Sequence, residues 1–211
     1  MIKININYLV ILVSLIFFVS CNTDPEISAE QCGDGATFTD TRDGQTYNII
    51  QIGNQCWLAE NLNYKSENSY CFDDNDGNCD KYGRLYKWED AISVCPPGWH
   101  LPTNDEWLQL ANALGGIDVC GGKLKQVGTT YWIAPNLEAT NESGFNALPS
   151  GFRGSGGAYE KLGSDAYYWT SNESEVNTSL AVYKGLNYNY GNLGEYVTDK
   201  RFAFAIRCVK D

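Results

Sequence analysis

The chain has 211 residues, 43% of them hydrophobic, enough to bury a core within a single globular domain. Its 26 acidic against 15 basic residues leave a formal net charge of −11, with no Lys/Arg cluster. This argues against a nucleic-acid partner, because phosphate binding needs a basic footprint that releases counterions.

The N-terminal run YLVILVSLIFFV, residues 8–19, is too short to span a bilayer and suits the apolar core of a signal peptide. It ends in FVSC, which looks like a relaxed lipobox of the kind used by Bacteroidetes-type bacteria. Residues 1–20 are therefore expected to be a lipoprotein signal peptide, with Cys21 lipidated and anchoring the protein to a membrane. Ordinary cleavage nearby would instead leave Cys21 as an extra thiol. Residues 21–33 read as a polar tether, and 34–211 as the folded domain. The acidic residues just after Cys21 favour onward transport, so the expected location is the outer membrane, facing the cell surface.

The domain opens on strand signals. Asp43-Gly44 and Gly53-Asn54 are hairpin turn pairs set between runs rich in Thr, Tyr and Ile, which predicts a three-strand meander. Next comes the acidic stretch DDNDGNCD, for which Cys71 and Cys79 are spaced as a local disulfide hairpin. The calcium-loop template fails here. With Gly77 at its sixth position, the first ligand would be Phe72 and the twelfth Gly83. A solvated acidic turn is expected, with an irregular Ca²⁺ site near Asp73, Asp74 and Asp76 as the alternative.

The stretch CPPGWHLPTNDEWLQL holds the single histidine, His100, near Asp105 and Glu106. Thr103 and Glu106 form a capping-box pair, and acidic residues in the first turn suit the helix dipole. Trp107, Leu110, Ala111 and Leu114 recur at helical spacing, and Gly115-Gly116 supplies a stop, which predicts a helix over 104–114. His100 lies outside it in a Pro-flanked turn. There is no second histidine for a metal and no nucleophile elbow, so a non-catalytic role is expected.

The C-terminal half is rich in Gly and aromatics. Runs such as Tyr167–Thr170 and Leu180–Tyr183 read as short strands separated by long loops. In the last strand Phe202, Phe204, Ile206 and Cys208 share one face, and Ala203, Ala205, Arg207 and Val209 the other. Tyr159, Trp169, Tyr188 and Tyr190 lie in or beside Gly/Asn-rich segments and are the candidate ligand platform, against the alternative that they are core. Beyond Cys21 seven cysteines remain, none in a zinc-type spacing, so three disulfides and one lone thiol are expected in an oxidising compartment.

Several blocks in order carry a resemblance: TFTDTRDGQTYNIIQIGNQCWLAENLNY, NCDKYGRLYKWEDA, CPPGWHLPTNDEWLQL, GGKLK, TNESGFNALPSGFR and FAIRCVKD. Together they resemble the Fibrobacter succinogenes major paralogous domain family of secreted proteins and lipoproteins, over about residues 36–211. The resemblance implies a C-type lectin-like α+β fold, disulfide-stapled: a twisted antiparallel sheet, one or two short helices, long Gly/aromatic-rich loops, and first and last elements joined. It implies a Cys95–Cys208 bridge, with Cys71–Cys79 and Cys32–Cys56 completing the set, although sequence alone allows other pairings of Cys32, Cys56 and Cys120. Ser150 and Cys120 depart from the family pattern, and Cys120 occupies a position usually held by a small residue, which makes it the expected free thiol.

Fold does not deliver function. The cysteine pair of the fold's formylglycine-generating branch is absent, as are the motifs of its calcium-lectin branch. The resulting expectation is a non-catalytic recognition or adhesion module without cofactor, binding a polysaccharide or a surface protein. The alternatives are a purely structural envelope protein and an enzyme with an unrecognised site.

Overall fold

The computed structural model describes residues 32, 33 and 35–211; the expected signal peptide and Cys21 lie outside the described residues. The meander forms as β1 (Thr37–Thr39), β2 (Thr46–Ile52) and β3 (Gln55–Leu58), antiparallel throughout. Gly53-Asn54 makes the two-residue turn between β2 and β3, with Gly53 at φ 60°. Burial in β2 falls on Tyr47 and Ile49 on one face and on Ile52 on the other, so the strand feeds two separate cores.

After β4 (Ser69–Tyr70) the acidic stretch departs from expectation. It makes a 3-10 turn at Phe72–Asp74 and then a helix, α1 (Asp76–Tyr82). The Asn75 side chain accepts from the Gly77 N–H, and Asp76 sits in the first turn, so the local sequence caps the helix against its poor propensity. There follow β5 (Leu85–Lys87), α2 (Trp88–Ala91) and β6 (Trp99–His100).

The predicted capping box opens α3 (Asn104–Ala113): Thr103 Oγ1 accepts from Glu106 N at 3.2 Å, and Glu106 Oε2 accepts from Thr103 N at 2.7 Å. Trp107, Leu110 and Ala111 are its buried face, and Gly115 and Gly116 end it at positive φ. A further helix, α4 (Ile117–Leu124), was not expected, because Gly121 and Gly122 are poor helix formers. Tertiary contact explains them. A Cβ on Gly121 would lie 2.2 Å from the Asn192 carbonyl oxygen, and one on Gly122 2.3 Å from that of Glu138. Only glycine lets these loops pack on the helix.

The C-terminal half holds β7 (Ser150–Arg153), β8 (Tyr159–Leu162), β9 (Asp165–Ser174), β10 (Asn177–Asn187), β11 (Gly194–Asp199), β12 (Ala203–Phe204) and β13 (Val209–Lys210). The expected short strands are thus a long hairpin, β9–β10, flanked by β11 in a stretch whose Gly and Asn content reads as loop. The strands form a five-stranded sheet, β1-β2-β3-β13-β6, and a curled, mainly antiparallel sheet, β11-β10-β9-β7-β12-β5-β4, with β8 on β7.

The expected final strand is two short strands joined by an extended run that passes between the sheets. Leu62 N donates to Ile206 O and Leu58 N to Cys208 O on one side, while Ala205 N donates to Tyr167 O on the other. Its alternation separates two cores. Phe204, Ile206 and Cys208 pack with Tyr47, Leu58, Tyr86 and Trp169, whereas Ala203, Ala205 and Val209 pack with Trp57, Trp107 and Phe145. Arg207, on the second face and fully buried, donates to Asn61 Oδ1 (2.7 Å) and to the Leu58 (3.1 Å) and Phe145 (2.6 Å) carbonyls. Its charge is thereby satisfied without a carboxylate. Disulfides join Cys32–Cys56, Cys71–Cys79 and Cys95–Cys208, and Cys120 is a buried free thiol. The fold is α+β, mostly sheet, with four α-helices among the described residues where one or two were expected.

Candidate functional site: a tyrosine groove

Strand alternation in the β9–β10–β11 layer builds the site. Asp165, Tyr167 and Trp169 share a face of β9. Register sets Asn187 opposite Asp165, Gly185 opposite Tyr167, and Tyr183 opposite Trp169; Tyr183 in turn faces Tyr196 on β11. At the centre Gly185 pairs with Gly194, so no side chain rises there. A Cβ on Gly194 would lie 2.5 Å from the Tyr196 ring, and one on Gly185 3.1 Å from it. The glycine pair therefore lets Tyr196 lie down across the sheet.

The result is a groove of about 290 Å³ lined by Tyr167, Tyr183, Tyr190 and Tyr196 with Asp165, Asn187 and Asn192. Tyr183 packs against Tyr196 at 5.4 Å and Tyr167 at 5.6 Å between ring centroids. Tyr190 and Tyr196 remain 60% and 51% exposed, so their faces are open to solvent. Asp165, only 7% exposed, accepts from Ser164 Oγ at 2.6 Å and from Asn187 Nδ2 at 2.7 Å. Burial, followed by the negative charge and hydrogen bond of Asp165, pushes the Tyr167 phenol far above its ordinary pKa. Tyr183 is raised by burial and by Tyr196 and Asp165. Both hydroxyls stay protonated. The groove offers flat π-faces, neutral hydroxyls, two amides and one carboxylate, which is the chemistry of binding.

The wall loop after β10 is held from below by Lys125, which is fully buried. Its Nζ donates to the carbonyls of Leu137 (2.8 Å), Asn187 (3.0 Å) and Tyr190 (2.8 Å). Burial, only partly offset by Glu138, lowers its pKa to about 8. The α4 backbone adds Gly122 N to Gly191 O and takes Leu193 N onto Ile117 O. On the opposite sheet face Lys184 pairs with Glu195 at 2.7 Å, and that hydrogen bond lowers the Glu195 pKa.

Of the four aromatic residues expected to form a platform, Tyr190 lines the groove. Trp169 does not present a face: it is 0% exposed, lies 4.4 Å from the Phe204 ring and donates from Nε1 to Tyr86 O at 2.8 Å. It stands on the same face of β9 as Tyr167 but further along the strand, where Phe204 and Tyr183 cover it and draw it into the core. Tyr159 leans on Phe72 at 5.2 Å and donates to Asp74 at 2.5 Å, away from the groove. Tyr188 packs half-buried against the core around Trp107. Tyr167, Tyr183 and Tyr196 were missed. Alternation along β9 and β10, with glycine opposite an aromatic, is the signal that points to them.

Asp73 and Asp74 stand at positive φ in the 3-10 turn, and Asp74 is engaged by Tyr159. Among the described residues no three acidic, His or Cys side chains converge as a metal cage. His100 has a carboxylate on each ring nitrogen, Asp211 Oδ1 on Nδ1 (2.6 Å) and Glu106 Oε1 on Nε2 (2.8 Å). Neither nitrogen is left to take a proton from a substrate. A larger hollow of about 440 Å³ lies beside Glu106, Gln109 and Asp211, but no aromatic residue lines it, and its rim runs to Cys32, where the described chain begins.

Comparison with curated proteins and with solved structures finds no match. The blocks that suggested a family in the sequence lie largely within residues 50–210, which match the family model of the Fibrobacter succinogenes major domain, and the chain belongs to that family.

Proposed function

We propose that the protein is a non-catalytic carbohydrate-recognition module of C-type lectin-like fold, displayed on the cell surface through a lipid on Cys21. The tyrosine groove is the observation that carries this reading. Two half-exposed tyrosine faces beside two amides and a buried carboxylate pair apolar stacking with hydrogen bonding, which is what a sugar ring, apolar on its faces and hydroxylated at its edge, requires. The rings are positioned by a hairpin and by buried Lys125, so little ordering entropy is lost on binding. No metal or cofactor is needed in this scheme.

Export is supported by the three disulfides, since such bonds persist in oxidising compartments. The lectin-like reading of the fold is supported by β13, near the end of the chain, which pairs with β3 from the opening meander. Glycan-array screening followed by titration calorimetry tests the function. Tyr190→Ala and Tyr196→Ala, both at exposed positions, should each weaken binding at least tenfold without changing the melting temperature. Binding that is absent, or indifferent to both substitutions, would overturn the proposal.

A further inference from the structure

Charge narrows the ligand class. Of the residues lining the groove, Asp165 is the one that carries a charge, and it has no cationic partner there: its hydrogen bonds come from the uncharged Ser164 and Asn187 side chains. The tyrosines do not change this balance, because Tyr167 and Tyr183 are held protonated. The nearby cations are turned away. The Lys125 ammonium is spent on three backbone carbonyls beneath the loop, and Lys184 is paired with Glu195 on the other face of the sheet. Although Asp165 is only 7% exposed, its field reaches a ligand across the solvent-open groove, so the repulsion is felt at short range and is screened by added salt. The net charge of −11 adds repulsion at longer range.

Shape narrows it further. Gly185 and Gly194 keep the floor low, so Tyr196 lies along the sheet as a flat surface. A pyranose with equatorial hydroxyls turns a face of axial C–H bonds toward such a ring, whose π-cloud is negative. An axial hydroxyl on that face would instead be buried against carbon without a partner. The depression, about 290 Å³, holds a short run of such rings.

Resting on the carbohydrate reading above, we infer that the groove selects neutral glycans built of flat, equatorially substituted pyranoses, and that Asp165 is the residue that rejects uronate and sulfated chains. Selection here is by repulsion as much as by attraction, since an anionic sugar would bring a second unpaired charge beside Asp165.

The test uses the intact protein and matched oligosaccharides of equal length: β-1,4-linked gluco- and xylo-oligosaccharides against oligogalacturonate and a sulfated gluco-oligosaccharide, by titration calorimetry at low salt. The neutral ligands should bind at least tenfold more tightly than the acidic ones. Asp165→Asn should reduce that ratio at least fivefold. Because this substitution also disturbs the bonds from Ser164 and Asn187, the wild-type protein provides a second measurement: raising NaCl to 0.5 M should narrow the ratio by screening, leaving the neutral affinities within twofold. Acidic ligands binding as tightly as neutral ones, or a ratio unaffected by both salt and Asp165→Asn, would overturn the inference while leaving sugar recognition standing. No binding by either class to a folded protein would overturn both.

Discussion

Replacing Cys95 and Cys208 together by alanine removes the longest of the three cross-links among the described residues. The three bonded pairs enclose separate stretches of chain, 24, 8 and 113 residues apart in sequence, so their effects on the unfolded state do not overlap. Loop-closure entropy for 113 residues corresponds to about 4.8 kcal/mol at 25 °C, against about 3.4 for 24 residues and about 2.5 for 8. The fully buried Cys208 also loses packing, so Cys95→Ala/Cys208→Ala is expected to cost about 5 kcal/mol, a large share of a domain's typical stability. Urea unfolding followed by tryptophan fluorescence, without reductant, measures it. The Cys71→Ala/Cys79→Ala variant, treated identically, should lose about half as much, an ordering set chiefly by loop length. If the short-loop variant lost as much stability as the long-loop one, the entropic account of these bonds would fail.

Three further outcomes follow from the buried and bridging groups. His100, raised in pKa by its bonds to Asp211 and Glu106 against the opposing effect of burial, contributes stability below about pH 6.5 that is lost as pH rises through its folded pKa. Glu106, lowered by Thr103 and His100 against burial, contributes above about pH 4.5 and loses that as pH falls. Thermal melts should therefore show a shallow optimum between these values, with each limb worth under about 1 kcal/mol given the partial exposure; a His100→Gln variant that keeps the alkaline limb would refute this. Lys125→Met should destabilise by about 2–3 kcal/mol, since three carbonyls lose their donor while a desolvated charge is removed. With its folded pKa near 8 against an ordinary 10.5, wild type should gain stability relative to the variant between pH 8 and 10.5, as measured by denaturant titration at each pH. Burial pushes the Cys120 thiol up to about 11, so peptide mapping after iodoacetamide treatment of the native protein at pH 8 should find it unlabelled, and labelled only in denaturant.

Much of the fold was legible where local chemistry decides structure. The Thr103–Glu106 capping box, the Trp107–Leu110–Ala111 stripe and the Gly115-Gly116 stop are short-range signals, and α3 follows them almost residue for residue. The Gly53-Asn54 turn and the runs rich in Thr, Tyr and Ile beside it place the opening meander in the same way. The candidate site was less legible, because Gly and Asn weaken a strand signal and the stretch around β11 reads as loop. Its alternation gains meaning only once β10 lies beside it and sets Tyr196 against Tyr183.

What the sequence determined by itself was the family, the class of fold, the cap and stripe of one helix and the two faces of the last segment, all of which depend on residues close in the chain or on recognisable blocks. Tertiary structure alone decided that Trp169 is core while Tyr196 lies open, and that Gly121 and Gly122 are helical because loops distant in sequence press against them. It likewise decided that Lys125 is spent on carbonyls from two other segments. The physical reason is common to all three: burial and close approach are properties of pairs of surfaces, and no window of a single chain contains both members of the pair.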